Sequence, residues 1–434
     1  MHRRTDFALF ADSFPPPEDD WTFNGHPTRE LTHCYHDYPA RMIPQIAGKL
    51  YDMYGQGANL MFDPYCGTGT SLVEGYLRGI NVIGTDLNPL ARLIAKAKTS
   101  LPDPFLLKET IKEFQKVILN FNSASSSAPH YIQGIKNLDF WFKPLVIQKL
   151  LCLKTFIEQI VDDAVRQFFQ VAFSETVRES SNTRIDEFKL FRRPTEKLTI
   201  FNPDVFGIMN YKLDRNQRGY GNLLHLVQHR ASPPTVKIFD FNTVEAIPEE
   251  LLAPESVDIV VTSPPYGDSH TTVAYGQYSR LSSSWLGFAC AEKVDRLLMG
   301  GCAQSPVRNT ASKITDIAIE QVSKADIKRG REVFAFYHDL ERSIRHVAKV
   351  LREGGHACYV VGNRTVKGVI LPTDLAVMNY FESCGFEHVR TFTRRIPNKR
   401  MPARNSPSNI PGLLENTMTG EFIVIMRKES SEAK

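Results

Sequence analysis

The chain has 434 residues, 42% hydrophobic and 23% charged, with a net charge of +4 and a pI near 8.5. That size supports one full α/β domain plus a second lobe, and the balance is that of a soluble globular protein rather than a disordered or membrane-spanning one. The small basic excess excludes polyanion binding by bulk charge, and seven scattered cysteines without a CxxC pair exclude a disulfide framework or a zinc site.

Residues 1–30 are rich in proline and acid around Phe14 to Asp20 and predict an extended N-terminal arm. No long apolar segment follows Met1, so neither a signal peptide nor a membrane span is expected, and the location is expected to be cytoplasmic. His33 to Ala40 lead into a helix over 41–51. His33 and His36 have the spacing of metal ligands, but no set of three or four surrounds them, so no metal is expected.

Leu60 to Asp63 is an apolar strand running into the loop Pro64-Tyr65-Cys66-Gly67-Thr68-Gly69-Thr70, with a helix after it. Gly67 and Gly69 permit a tight turn and close approach of a ligand to the backbone. A second strand, 81–85, ends in Asp86, and an acid about 20 residues after a glycine loop is a ribose-hydroxyl partner in such βαβ units. A GxGxxG motif and a Gly-Lys-Ser/Thr P-loop are both absent, which argues against a dinucleotide or a triphosphate. Asn88 and Pro89 open a helix to about Thr99.

Residues 122–128, Asn-Ser-Ala-Ser-Ser-Ser-Ala, read as a flexible linker to a mainly helical lobe over 126–235. Its second half is basic and polar, with Arg178, Arg184, Lys189, Arg192, Arg193 and Lys197 interleaved with Asn182 and, further on, Asn210, Asn216 and Gln217. Singly, each is the ordinary residue of a solvated face; as a group they suit phosphate neutralisation and base-edge reading.

Val236 to Phe241 predicts another strand, and Val257 to Val261 a buried one that runs into Thr262-Ser263-Pro264-Pro265-Tyr266. The prolines lock that turn, holding the Ser263 hydroxyl and the Pro264 carbonyl as two acceptors beside the flat Tyr266 ring. Such a site fits a planar amine, whose hydrogens the acceptors hold while the nitrogen lone pair is freed. Residues 267–280 read as a polar loop, with Asp268 and His270 as loop or nucleic-acid contacts. A helix over 331–353 capped by Gly354-Gly355, a strand over 356–363, a helix over 373–384 and an antiparallel closing pair, 386–393 with 421–427, complete the chain. The long basic loop 394–405 between the paired strands is the best local candidate for contact with a nucleic-acid backbone.

Phe62 to Thr70 with Asp86, followed far downstream by Thr262 to Tyr266, resembles the amino-group DNA methyltransferases that use S-adenosylmethionine, over the segments 33–100 and 236–427. The resemblance implies a Rossmann-like, doubly wound, mostly parallel sheet with an antiparallel final strand and an inserted, mainly helical recognition lobe. It divides the chain into the arm (1–30), a cofactor half (31–125), the inserted target-recognition lobe (126–235) and a catalytic half (236–434). It implies cofactor contacts from Tyr38, Asp63, Tyr65, Cys66, Gly67, Thr68, Gly69, Thr70, Asp86 and Asn88, a polar contact to the cofactor adenine from Asp240, and stacking by Phe241. Ser263, Pro264, Pro265 and Tyr266 take the catalytic place; the Ser-Pro-Pro-Tyr form is most frequent in cytosine-N4 enzymes, so the expected activity is site-specific N4 methylation of cytosine in double-stranded DNA. Adenine-N6 methylation is the alternative, with RNA amine methylation and a retired DNA-binding module behind it. Arg394, Arg395, Lys399, Arg400 and Arg404 of the basic loop, and Arg184, Arg192 and Arg193 of the lobe, are the expected DNA contacts. A separately acting restriction endonuclease is the partner the family implies. Tyr65 and Cys66 depart mildly from the commonest loop, and Cys66 reads as a small packing residue because nothing beside it would activate a thiol.

Overall fold

The computed structural model describes residues 20–123, 131–185, 188–267, 273–289, 291–302, 309–396, 404–405, 415–416 and 420–430. After a 3-10 turn at Leu31–Tyr35, the first elements are α1 (Pro44–Tyr54), β1 (Leu60–Asp63), α2 (Thr70–Leu77), β2 (Asn81–Thr85) and α3 (Pro89–Thr99). Six helices follow: α4 (Pro104–Leu119), α5 (Leu138–Trp141), α6 (Pro144–Gln159), α7 (Asp163–Ser180), α8 (Thr195–Ile200) and α9 (Val205–Val227). Then come β3 (Val236–Phe239), β4 (Val257–Thr262), α10 (Tyr275–Trp285), α11 (Val294–Leu297), α12 (Lys313–Ala325) and α13 (Ile327–Val350). The chain closes with β5 (Leu351–Val361), β6 (Arg364–Val366), β7 (Val369–Leu371), α14 (Thr373–Glu382), β8 (Phe386–Arg395), β9 (Arg404–Asn405), β10 (Glu415–Asn416) and β11 (Gly420–Lys428).

Seven strands form one sheet in the order β3-β2-β1-β4-β5-β11-β8. The first five run parallel, whereas β11 lies antiparallel between β5 and β8. This is the expected doubly wound sheet with an antiparallel ending. The order reverses between β1 and β4, which pair directly at Met61 with Ile259 and Phe62 with Val260. A crevice therefore opens beyond their C-terminal ends, where the glycine loop and the Pro-Pro turn emerge side by side. Both strands are near-continuous apolar runs because helices cover both faces, leaving Phe62, Ile259, Val260 and Val261 fully buried. On α13 the periodic residues Val333, Phe336, Tyr337, Leu340, Ile344, Val347 and Val350 are all buried against the sheet, as their spacing predicts.

Two expectations are corrected, the loop over 275–280 and the glycine cap of α13, and the packing of the inserted stretch and of the arm's end is defined. The helical stretch inserted between β2 and β3 packs closely on the rest of the chain: α6, α7 and α9 share one apolar core with Tyr35 and Tyr38, with Leu90 and Ile94 of α3, and with Trp285 of α10. Tyr275 to Arg280 is helix rather than loop. Its serines are buried, Ser279 donating back to the Tyr275 carbonyl at 2.9 Å and Ser282 to the Ser174 carbonyl at 2.6 Å, so a polar composition hides an inward face. Gly354-Gly355 does not cap α13; β5 begins directly after Val350, and Gly354, at φ +70, sits where β5 and β4 shift register. The arm is anchored at its end by Trp21, which is 1% exposed and packs 4.9 Å from Phe392 under Lys49. Residues 1–19, the linker positions 124–128 and the loop positions 268–272 lie outside the described residues. Among the described residues no helix is long and apolar enough to cross a membrane.

Candidate active site

The crevice at the switch point is a cleft open to solvent, with about 670 Å³ of empty space when the solvent at its mouth is included. Of the residues expected there, Tyr38, Asp63, Tyr65, Cys66, Gly67, Thr68, Thr70, Asp86, Asn88, Ser263 and Pro265 line it, together with Arg41 and Tyr275.

Gly69 enters α2 in the left-handed region at φ +74, and a Cβ on it would stand 2.9 Å from the Ala95 Cβ. The residue must be glycine for α3 to pack so close. Cys66 lies over Gly84, where a Cβ would meet its own at 2.8 Å, and burial pushes its thiol well above the ordinary range. It is a buried packing thiol, as read from the sequence. Buried Lys98 donates to the Thr68 carbonyl at 3.0 Å and ties the loop to α3.

Two acids frame the loop. Asp86 accepts from Gly67 N–H at 3.0 Å and from Asn88 N–H at 2.7 Å; burial raises its pKa against those bonds and the charge of Arg92. Asp63 accepts from Tyr65 N–H at 3.0 Å, from Thr262 Oγ1 at 2.5 Å and from Ser71 Oγ, so one carboxylate joins the glycine loop to the end of β4. Burial raises Asp63 to about 6. Asn88 caps α3 through Leu90 N–H at 3.1 Å, and its amide donates to Tyr38 Oη at 2.8 Å and Ser279 Oγ at 3.2 Å. Tyr38 in turn stacks on Tyr275, centroids 5.8 Å apart and planes 12° apart, making one wall of the cleft.

At the Pro-Pro turn, Ser263 Oγ donates to Tyr266 Oη at 3.2 Å and Tyr266 Oη donates to Glu421 Oε1 at 2.9 Å. Burial holds the Tyr266 phenol well above its ordinary pKa. Glu421 is ion-paired with Arg394, whose Nε also donates to the Trp21 carbonyl at 2.8 Å.

Other expected residues fall elsewhere. Asp240 is three-quarters exposed, 3.5 Å from Arg92, and Phe241 stacks on Phe62 at 6.2 Å, so neither lines the cleft. Arg394 is corrected: at 7% exposure, with its guanidinium spent on Glu421 and Trp21, it is an internal residue and not a surface contact. Arg395 beside it is exposed. Lys399 and Arg400 lie outside the described residues, and for Arg404 only the backbone, in β9, is described. Arg184 is exposed; Arg192 and Arg193 are half-buried, Arg192 4.4 Å from the Phe140 ring centroid and Arg193 4.2 Å from that of Phe201.

Arg41, Tyr275 and Glu421 had no assigned role in the sequence. Arg41 donates to the His33 carbonyl at 2.9 Å, and its only local signal is the cluster of ring residues before it. Tyr275 and Ser279 fell in a stretch read as polar loop, and their i, i+4 spacing on one helix face emerges only with α10. His33 Nε2 sits 3.0 Å from Glu74 Oε1, and burial pushes the imidazole down to about 4, so this is a neutral hydrogen bond rather than an ion pair. Because the folded value lies below the ordinary 6.5, His33 supports the fold fully above pH 6.5 and withdraws that support as pH falls toward 4, by about 3 kcal/mol in the limit. His33→Gln is expected to lose less stability than the wild type between pH 7 and 4.5 in urea titrations; parallel losses would refute the assignment. Among the described residues no group of three or more His, Cys, Asp or Glu is placed to hold a metal.

No protein-family model matches the chain. The type II methyltransferase M.MvaI of Kocuria varians is 38% identical over 417 residues, 92% of this chain and 92% of its own. The type II methyltransferase M.MjaII of Methanocaldococcus jannaschii is 33% identical over 88 residues, 20% of this chain and 15% of its own. Among solved structures, the rRNA methyltransferase aviRa of Streptomyces viridochromogenes covers 90% of this chain and 88% of its own at 11% identity, with a TM-score of 0.32. With 38% identity sustained across 92% of both sequences, the chain belongs to the type II methyltransferase family of M.MvaI.

Proposed function

We propose that this type II DNA methyltransferase, whose methyl donor is S-adenosylmethionine, acts on the exocyclic N4 amine of cytosine in double-stranded DNA. The observation that carries the reading is that Ser263 and Pro265 share one cleft with the glycine loop and Asp86. The donor, when bound, supplies a methyl group on a positively charged sulfur.

The residues divide the work. Asp86 keeps lone pairs for ribose hydroxyls beyond the two backbone N–H groups it accepts. Arg41, at the cleft wall, is the cation for the carboxylate of the methionine part, with the backbone of residues 66–69 beneath it. Ser263 Oγ and the Pro264 carbonyl accept the two hydrogens of the target amine, and the Tyr266 ring lies against the base. A base stacked in a duplex cannot reach this crevice, so the target must be flipped out. Positioning and exclusion of water then carry most of the rate. Arg184, Arg192 and Arg193 on the helical insertion and Arg395 on β8 take the flanking phosphates and base edges. The Ser form of the turn favours N4 of cytosine over N6 of adenine, and a restriction endonuclease of the same specificity is the separately acting companion.

Nucleoside mass spectrometry of DNA incubated with the protein and S-adenosylmethionine tests the reading. N4-methylcytosine is the expected product. N6-methyladenine would overturn the base assignment, and no methylated base on DNA of varied sequence would overturn the reaction.

A further inference from the structure

The Ser263 hydroxyl stands at the head of a directed chain of polar contacts that leaves the cleft and ends inside the protein. A carboxylate accepts hydrogen bonds and donates none, so the 2.9 Å contact of Tyr266 Oη with Glu421 must use the phenol proton. With that proton committed, Tyr266 Oη faces Ser263 only as an acceptor, and the 3.2 Å contact must use the serine proton. Both lone pairs of Ser263 Oγ are thereby left free of its own hydrogen on the cleft side. The direction is fixed at the far end as well. Glu421 and Arg394 are cross-strand neighbours on β11 and β8, Arg394 engages Oε2, and the Trp21 carbonyl holds its Nε at 2.8 Å. Arg394 and Glu421 are both largely buried, at 8% and 13% side-chain exposure, so water does not scramble the order.

We infer that Glu421 is a positioning residue for the transfer: through Tyr266 it sets the Ser263 hydroxyl as an acceptor toward the cleft, which selects an amine over a carbonyl at the target position. This rests on the reading of Ser263 as the amine-binding group. Glu421 touches neither base nor donor, and acts only through the orientation of two hydroxyl protons.

The substitution that separates orientation from mere support is Glu421→Gln. Arg394 has only donors, so the glutamine amide oxygen stays on it and the amide N–H₂ falls on Tyr266. Tyr266 then accepts from residue 421 and donates to Ser263, whose own proton turns into the cleft and meets the hydrogens of the amine. The chain runs backwards with nearly the same atoms in place.

The experiment first maps the methylated position with wild-type protein, then measures binding of cofactor-free protein to two duplexes, one with the target cytosine and one with uracil there. Uracil presents a carbonyl where cytosine presents an amine. Any preference that arises from weaker pairing of uracil is common to both proteins and cancels in the ratio. The cytosine-to-uracil affinity ratio is expected to fall about tenfold or more from wild type to Glu421→Gln, the worth of one hydrogen bond made or reversed. In turnover, kcat is expected to fall on the order of 100-fold. Tyr266→Phe, which leaves the Glu421–Arg394 pair intact, frees the serine proton to rotate. Introduced into Glu421→Gln it is expected to restore part of the lost activity, a rescue that loss of support would not produce. An unchanged binding ratio, or a double variant no better than Glu421→Gln, overturns the inference. Should Glu421→Gln fail to fold in thermal scans, Tyr266→Phe alone decides, since wild-type kcat and ratio in that variant overturn it equally. A wild-type protein that methylates no DNA removes instead the reading on which the inference stands.

Discussion

Ser263→Ala protein is expected to bind S-adenosylmethionine as tightly as the wild type and to transfer its methyl group on the order of 100- to 1,000-fold more slowly. The residue lines the cleft, but its hydrogen bond runs to Tyr266, away from the glycine loop and the Asp86 carboxylate. In the proposed reading, removing the hydroxyl takes away a preorganised acceptor at the reacting amine, and loss of one preorganised hydrogen-bonding group costs about 10²–10³ in turnover, roughly 3–4 kcal/mol. The prolines on its C-terminal side hold the turn whatever residue stands at 263, and Thr262 keeps its bond to Asp63 at 2.5 Å, so the cofactor side of the cleft is unaffected. Isothermal titration with the cofactor and single-turnover kinetics read the two quantities separately. Loss of cofactor affinity would place Ser263 in the wrong half of the site, and unaltered turnover would remove it from the chemistry.

Asp86→Ala is expected to raise the dissociation constant for the cofactor by about 100-fold or more. The carboxylate has two duties, and the substitution removes both. It orders the loop by accepting from Gly67 N–H at 3.0 Å and Asn88 N–H at 2.7 Å, and in the proposed reading its remaining lone pairs go to the ribose. Hydrogen bonds to a charged group are worth roughly 1.5–3 kcal/mol each, so two lost to the ribose account for the expected change without any loop disorder. Asp86→Asn keeps one acceptor oxygen and is expected to fall between, at roughly tenfold. Titration calorimetry checks both, and wild-type affinity in Asp86→Ala would show that the ribose lies elsewhere. The effect on turnover at saturating cofactor is expected to be far smaller than that of Ser263→Ala, since Asp86 has no part in holding the amine.

The parts legible in the sequence are those whose signals are local. Leu60 to Asp63 with its glycines, Asn81 to Asp86, and Val257 to Val261 with its two prolines each carry strand, terminator and polar end group within about ten residues, and the sheet sets their ends around one cleft. The antiparallel pairing of the final strands and the inward face of α13 were readable for the same reason: periodicity 2 or 3.6 over one continuous stretch. What the sequence by itself determined about this protein is therefore the sheet class and the two motifs.

The tertiary structure decided which polar residues face inward, because that depends on partners far away along the chain. Ser279, Ser282, Ser283 and Ser284 look like loop residues until α7 packs against them. Arg394 and Glu421 look like a basic loop and a strand end. They become an internal ion pair once β11 is inserted between β5 and β8 and Trp21, 373 residues from Arg394, closes over them. Burial of a charge costs several kcal/mol unless a partner meets it, and only the assembled sheet supplies that partner. What covers the helical insertion was hidden for the related reason that α7 and α9 complete their apolar faces on residues from both halves of the chain, Tyr35 and Tyr38 before them and Trp285 after. A hydrophobic face states that it must be covered and not by what.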